Sequence, residues 1–453
     1  MSEKTYTEEE SAQIAARRGL PRFVKLALRQ EGLSRKAKEE PKFKFYNLYS
    51  QVLLPDTLRC AWEQARANKG AAGADRVTFE DIERSEGGVE GYLTSIQKEL
   101  KAKTYRASPV KRVYIEKANG KLRPLGIPTV KDRVVQTAVK LVIEPIFEAD
   151  FHDCSYGFRP KRCAQQAVAR IAEKIRAGER EVYDADLSSY FDTIPHDKLM
   201  LALRKRITDG SVLGLIRQWL KANIQEASGV RIRTKGKGTP QGGVISPLLS
   251  NVYLHWFETC AAIVAKATSQ AMSVVRYADD FIILGKRLKE DFLARIEAEL
   301  EGRFGLTVNR EKTRVVDMGV CNASLTFLGY EFRRVKDRHF GTGGTYIETC
   351  PAMKSVKKVC KKVKEITSRR MKSVPIADVV KKVNLVIDGW GRYYRYGYPS
   401  RMFAKVNWYV NRRLYSFLRR RSQRKYRLRY AATYSGELRH YGLIQLTRGR
   451  YRQ

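Results

Sequence analysis

The chain is short of acid. Against 87 Lys plus Arg it sets 48 Asp plus Glu, a formal net charge of +39 over 453 residues. Such an imbalance points to a polyanionic partner, nucleic acid first and an anionic membrane surface second. Membrane is the weaker reading, because no run approaches the roughly 20 apolar residues a spanning helix needs. Histidines number five and cysteines seven (Cys60, Cys154, Cys163, Cys260, Cys321, Cys350, Cys360), and no two cysteines form a CxxC pair. No zinc ribbon or HNH-type metal module is visible, and reduced thiols are expected. Also missing are an internal repeat of roughly 20 to 50 residues and any low-complexity tract. The opening M-S-E-K-T-Y-T-E-E-E has neither the apolar core of a signal peptide nor the acid-poor make-up of a transit peptide. A cytoplasmic protein, in the first place of a bacterial cytosol, is expected.

What is present suffices to fold: 43% hydrophobic content and a length adequate for two or three domains with sizeable cores. Residues 1–40 read as a basic helical extension, and 43–100 as mainly helical, broken by the small-residue loop K-G-A-A-G-A-D at 69–75. In V-Y-I-E-K-A-N-G-K-L-R-P-L-G-I-P, 113–128, two β-type runs flank Asn119-Gly120, a strong hairpin signal. Lys117, Lys121 and Arg123 stand near its tip, where charges also serve simply to block edge pairing. A helix is expected over 130–147. Residues 181–194, E-V-Y-D-A-D-L-S-S-Y-F-D-T-I, predict a strand, a turn and then a helix from about Pro195. G-K-G-T-P-Q-G-G-V-I-S-P-L-L-S-N-V-Y-L, 236–254, predicts a Gly-rich loop and an apolar helix starting near Ser246-Pro247.

In V-R-Y-A-D-D-F-I-I-L, 275–284, two strand-like runs flank Asp279 and Asp280. Asp is at home in a hairpin turn, so the pair reads either as a turn or as a metal site. A helix over 287–303 and strands over 314–318 and 326–333 should follow. Composition then shifts: residues 351–453 hold 28 Lys plus Arg against 4 Asp plus Glu, a net +24. Arg interleaved with Tyr and Trp between Trp390 and Tyr430 suits phosphate neutralisation and base stacking better than a plain solvated face.

Transfer of a nucleotide from its triphosphate needs positioned charge more than covalent chemistry. Two Mg²⁺ ions about 4 Å apart, held by hard carboxylate oxygens, can activate the attacking hydroxyl and neutralise the leaving pyrophosphate. The chain offers parts for this. Asp186 ends one predicted strand, Asp279 and Asp280 lie between two others, and Lys117 and Arg123 are cations on a hairpin.

Y-A-D-D-F resembles the catalytic turn of reverse transcriptases, D-L-S-S-Y-F-D their first acidic motif, and T-P-Q-G-G-V-I-S-P-L-L-S-N their template- and nucleotide-binding helix. K-G-A-A-G-A-D, N-G-K-L-R-P-L-G-I-P, S-Y-G-F-R-P, V-N-R-E-K-T, F-L-G-Y-E-F and G-W-G-R-Y-Y extend the similarity to group II intron-encoded reverse transcriptase/maturases, over about residues 45–445. That resemblance implies Asp186, Asp279 and Asp280 as catalytic metal ligands for two Mg²⁺, with Mn²⁺ as a substitute and the Leu187 carbonyl as a further oxygen. It implies Phe191 as a gate against the ribose 2′-OH, Gln241 bordering the incoming nucleotide, and Lys312 beside the triphosphate, although a surface lysine explains Lys312 nearly as well. Asp184 and Asp192 are assigned no metal. Two departures stand out. Arg76 follows Asp75 where the family commonly has Gly, so the loop should differ locally, and the chain stops at Gln453, so no DNA-binding or HNH endonuclease domain is expected.

The implied fold is α+β: a right-hand polymerase of fingers and palm over 41–335, preceded by the 1–40 extension and followed by an α-helical thumb/maturase (X) domain over 345–453. Arg392, Tyr393, Arg412 and Arg413 are its candidate RNA-binding residues. The expected activity is RNA-directed DNA polymerisation coupled to intron splicing and retrohoming. Its partners are group II intron RNA, an RNA template with DNA primer, target DNA and dNTPs. Two alternatives stay open: a domesticated relative serving defence, spacer acquisition or repair, and a splicing factor that no longer polymerises.

Overall fold

The computed structural model describes residues 22–116, 120, 122–226, 228–232, 236–240, 242–336, 344–421 and 426–451. The first helices are α1 (Arg22–Glu39), α2 (Tyr49–Val52), α3 (Pro55–Ala67), α4 (Phe79–Arg84) and α5 (Gly88–Lys101). Strands β1 (Val110–Glu116) and β2 (Leu122–Ile127) form the expected hairpin, and α6 (Val130–Glu148) follows. Thr129 starts α6: its hydroxyl accepts the Asp132 backbone N–H at 3.1 Å. Next come α7 (Ala164–Arg176), β3 (Glu181–Ala185), α8 (Tyr190–Thr193), α9 (His196–Arg204) and α10 (Gly210–Lys221). Short strands β4 (Ile224–Gln225) and β5 (Arg231–Ile232) lead to the long helix α11 (Ser246–Ala267), with Pro247 in its first turn.

The strands β6 (Ser273–Tyr277) and β7 (Asp280–Gly285) then flank the acidic pair, followed by α12 (Glu290–Ala298) with a π-helical turn (Glu299–Arg303) and β8 (Arg314–Asp317). Where one strand was expected over 326–333, the chain forms two, β9 (Ser324–Phe327) and β10 (Tyr330–Lys336). The break lies at Leu328-Gly329, both left-handed (φ 50° and 78°), because F-L-G-Y reverses the chain tightly enough to pair Phe327 with Tyr330. A further strand, β11 (Thr345–Pro351), pairs with β10 and ends the sheet, so the helical part starts only at α13 (Met353–Ile366). It continues with α14 (Ile376–Tyr393), α15 (Ser400–Arg419) and α16 (Tyr434–His440).

The central sheet has strand order β6-β7-β3-β8. Its alternation feeds two cores. Tyr183, Ala185, Phe281 and Ile283 face one side and join a core built with α6, α9, α10 and α11; Val182, Val275, Ile282 and Leu284 face the other and pack with α7, β9 to β11 and helices α13 to α16. The sheet is thus fixed on both faces, and functional side chains can sit only along its ends.

Candidate active site

The acidic pair occupies a two-residue turn. Tyr277 pairs with Asp280, leaving Ala278 and Asp279 as its central residues, and Ala278 takes φ 57°. A left-handed alanine costs energy that only surrounding contacts can offset. Those contacts are visible. Gly157, in S-Y-G-F-R-P, lies so close that a Cβ would stand 2.3 Å from the Ala278 nitrogen. The Arg276 side chain, 1% exposed, reaches the Ala278 carbonyl (3.0 Å), Asn251 Oδ1 (2.8 Å), Ser155 Oγ (2.6 Å) and the Glu258 carboxylate. Burial alone would raise the Glu258 pKa, but Arg276 and His255 more than offset it and hold the carboxyl below its ordinary value. Arg159 anchors the same loop, donating to Glu148 and to the His152 and Ser155 carbonyls.

Strand β3 lies beside β7 with Ala185 opposite Phe281, so one further step of register sets Asp186 against Asp280. Lys312 donates to Asp186 Oδ2 at 2.9 Å, and Arg314 pairs with Asp184 at 3.5 Å. Burial and then the charges of Asp279, Asp186 and Asp184 push Asp280 up to about 7. Asp280 lies at an exposed edge, where water tempers the cost of burial while the three like charges crowd it. Burial also raises Asp279, which the Arg123 charge opposes. The hairpin β1-β2 therefore carries a cation within electrostatic reach of the turn.

Asp186 gives its carbonyl to Asn309 N–H (2.8 Å), whereas no described residue donates a backbone hydrogen bond to the Leu187 carbonyl. Phe191 is buried at 9% exposure, and its carbonyl accepts from Thr239 N–H at 2.7 Å. That bond ties the first acidic segment to the loop leading toward Gln241. Lys117, Lys121 and Gln241 themselves lie outside the described residues. Beside Gln241, however, Gly242 (φ 109°) abuts β2 so tightly that a Cβ would meet the Gly126 carbonyl at 2.5 Å. Only glycine fits there. Arg76 takes φ 62°, a left-handed conformation that suits glycine, so the departure at this position is carried as backbone strain.

Among the described residues, no three acidic, histidine or cysteine side chains converge closely enough to hold a metal ion as they stand. The donor chemistry nonetheless suits a hard divalent cation: three carboxylates at adjoining strand ends, one with a proton affinity raised by the others, and an ammonium already drawn to Asp186. Such a site can bind cations and triphosphate.

In the helical part the candidate RNA contacts separate. Arg412 is exposed and stacks over Trp408 at 5.2 Å, an indole 61% exposed. Arg392 is exposed and paired with Asp388 at 2.7 Å. Arg413 instead donates to Thr367 Oγ1 (3.1 Å) and the Thr367 carbonyl (3.2 Å), clipping α15 to the end of α13. Tyr393 is half-buried, its hydroxyl donating to the Leu328 carbonyl at 3.1 Å and its own carbonyl accepting from Gln165. The network of Arg276, Asn251, Glu258 and Ser155 was not singled out from sequence. Its signal was available: Asn251 and Glu258 lie seven residues apart, on one face of a mainly apolar helix.

Residues 115–332 match the family model described as "Reverse transcriptase (RNA-dependent DNA polymerase)", and residues 356–435 match "Group II intron, maturase-specific domain". The chain is 35% identical over 346 residues to protein YkfC of Escherichia coli (strain K12), covering 68% of this chain and 89% of that one. It is 30% identical over 364 residues to the group II intron-encoded protein LtrA of Lactococcus lactis subsp. cremoris, covering 67% and 59%. Against an uncharacterized 91 kDa protein in the cob intron of Schizosaccharomyces pombe the figures are 26% over 456 residues, 84% and 54%. The chain thus spans little more than half of the last two relatives. Among the described residues no helix is long and apolar enough to cross a membrane.

Proposed function

This chain belongs to the family of group II intron-type reverse transcriptases with a maturase domain, and we propose that it is an RNA-directed DNA polymerase that also binds and helps splice an intron RNA. The observation that carries the polymerase reading is the meeting of Asp186 with the Asp279-Asp280 turn at the end of one sheet, under the charge of Arg123 and Lys312. In this reading Asp186, Asp279, Asp280 and the Leu187 carbonyl hold two Mg²⁺, with Mn²⁺ as a substitute. Bound there, the ions supply Lewis-acid activation of the primer 3′-hydroxyl and neutralisation of pyrophosphate. Lys312 leaves Asp186 for the triphosphate and offers its proton to the leaving group. Arg123, with Lys117, clamps the phosphates, Gln241 borders the nucleotide, and the Phe191 ring walls off a ribose 2′-OH, so that dNTPs are preferred.

Arg392 and Arg412, with Trp408, are offered to intron RNA, and Tyr393 and Arg413 hold that surface in place. Reverse transcription of the intron into target DNA follows from the same activities, and a bacterial cytosol is the setting that suits it.

The test is primer extension on a primed RNA template with dNTPs and Mg²⁺. Asp279→Asn should lower cDNA synthesis by about a thousandfold, the scale of several kcal/mol of charge stabilisation, while RNA affinity stays within about twofold. Synthesis retained in that variant would remove the metal assignment.

A further inference from the structure

Helices α9 and α10 pack against each other and leave a groove formed by two adjoining cavities of about 530 and 330 Å³, neither lined by Asp186, Asp279 or Asp280. Arg204 and Arg217 line both; Lys221 lines the first and Lys44 the second. All four are exposed, and none of them makes a side-chain hydrogen bond or ion pair among the described residues. Asp197 is the one acid in the walls among the described residues. Elsewhere on the surface Arg59, Arg66 and Arg310 each pair with glutamates, as solvated cations commonly do. The floor is apolar and includes Leu201, 53% exposed.

The groove is rigidly built from distant parts of the chain. Asp209 caps α10 with one oxygen (Ser211 N–H, 3.0 Å) and holds the Leu48 and Tyr49 N–H groups with the other (2.8 and 2.7 Å). Arg206, 4% exposed, pairs with Asp150 at 3.0 Å and donates to the Ala37 and Glu40 carbonyls. The bridge between Phe45 and Ile207 fixes Lys44 beside α9. At the other end, the Gly236 carbonyl accepts from His196 N–H (3.1 Å) and the Gly238 carbonyl lies 2.7 Å from His196 Nε2. From there the chain runs on to Gln241 and Gly242.

We propose that this groove binds the phosphodiester backbone of a single RNA strand, outside the carboxylate site and continuous with the loop that leads to it. Four unpaired cations in a concave wall concentrate a polyanion, and an apolar floor accepts ribose and base faces between phosphates. The proposal rests on RNA being this protein's partner. It adds a contact that neither the carboxylates nor the maturase helices supply.

The full chain and its Arg204→Gln/Arg217→Gln/Lys221→Gln variant are compared for binding of an oligouridylate of about 40 nucleotides across salt concentrations, an RNA length beyond one ordinary single-strand site. Each lost phosphate contact lowers the log–log salt slope by about 0.7, so the variant slope should be shallower by about 2. Extension of a primer on an RNA template with only a few unpaired nucleotides, and thermal melting, should be unchanged. A Lys44→Gln/Lys221→Gln variant should lose about 1.4 of slope, which keeps the test valid if the triple variant folds poorly. An unchanged slope overturns the proposal. So does an equal loss of short-template extension, which would place these residues in the polymerase cleft. If the parent chain extends no primer while the slope difference persists, the polymerase reading fails and the groove stands.

Discussion

Asp280 binds its proton far more tightly than an isolated carboxylate would. In the metal-free folded chain its pKa is about 7, against an ordinary 3.8 when unfolded. Between those values the folded state holds a proton that the unfolded state has released, so metal-free stability falls as pH rises through that window. A divalent cation competes for the same oxygens and gains as the proton leaves. Added Mg²⁺ should therefore raise the melting temperature more at pH 8 than at pH 6. An equal rise at both would show that Asp280 is no part of the cation's shell. Lys312 is at once a surface lysine and the ion-pair partner of Asp186, a pairing that N-R-E-K-T alone does not reveal.

At the scale of elements, the β6-β7 hairpin owes its position to a helix and a loop rather than to its own sequence. Arg276 joins β6 to α11 through Asn251 and Glu258, to the 152–159 loop through Ser155, and to the turn itself through the Ala278 carbonyl. Arg276→Lys keeps the charge but not the fork. It should lower kcat by about tenfold with KM for dNTP little changed, since a turn displaced by a fraction of an ångström misplaces the catalytic acids. Arg276→Ala should cost about 3–5 kcal/mol in denaturation because it leaves Glu258 buried without its partner. If Arg276→Lys left kcat unchanged, the network would be a packing device with no hold on the turn.

Across the whole molecule, one core runs from the central sheet through β9 to β11 into α13 to α16. Basic side chains on those helices divide into solvent-facing ones and ones bonded to another helix, and two neighbours in sequence belong to different sets. Arg412 points outward with Trp408, whereas Arg413 is bonded to Thr367. Arg412→Gln should reduce the salt slope of RNA binding by about 0.7–0.9 and leave melting unchanged. Arg413→Gln should lower stability by about 1.5–3 kcal/mol, the worth of its charged hydrogen bonds, with little change in slope. The reverse pattern would exchange their roles.

Sequence by itself determined the local and the chemical. Alternation and turn residues marked β1, β2, β3, β6 and β7, Pro marked helix starts, and the order of acidic motifs identified the family, because each depends on a few adjacent residues. The tertiary structure decided what depends on approach between distant segments. It split the strand at Leu328-Gly329 and put an additional strand, β11, before the helices. It also bonded Tyr393 and Arg413 to distant segments, placed Arg276 at the centre of a buried network, and gathered Lys44, Arg204, Arg217 and Lys221 into one groove. Side-chain partners such as these are separated by tens to hundreds of residues, and no local pattern encodes which of two neighbouring arginines will bond to another helix.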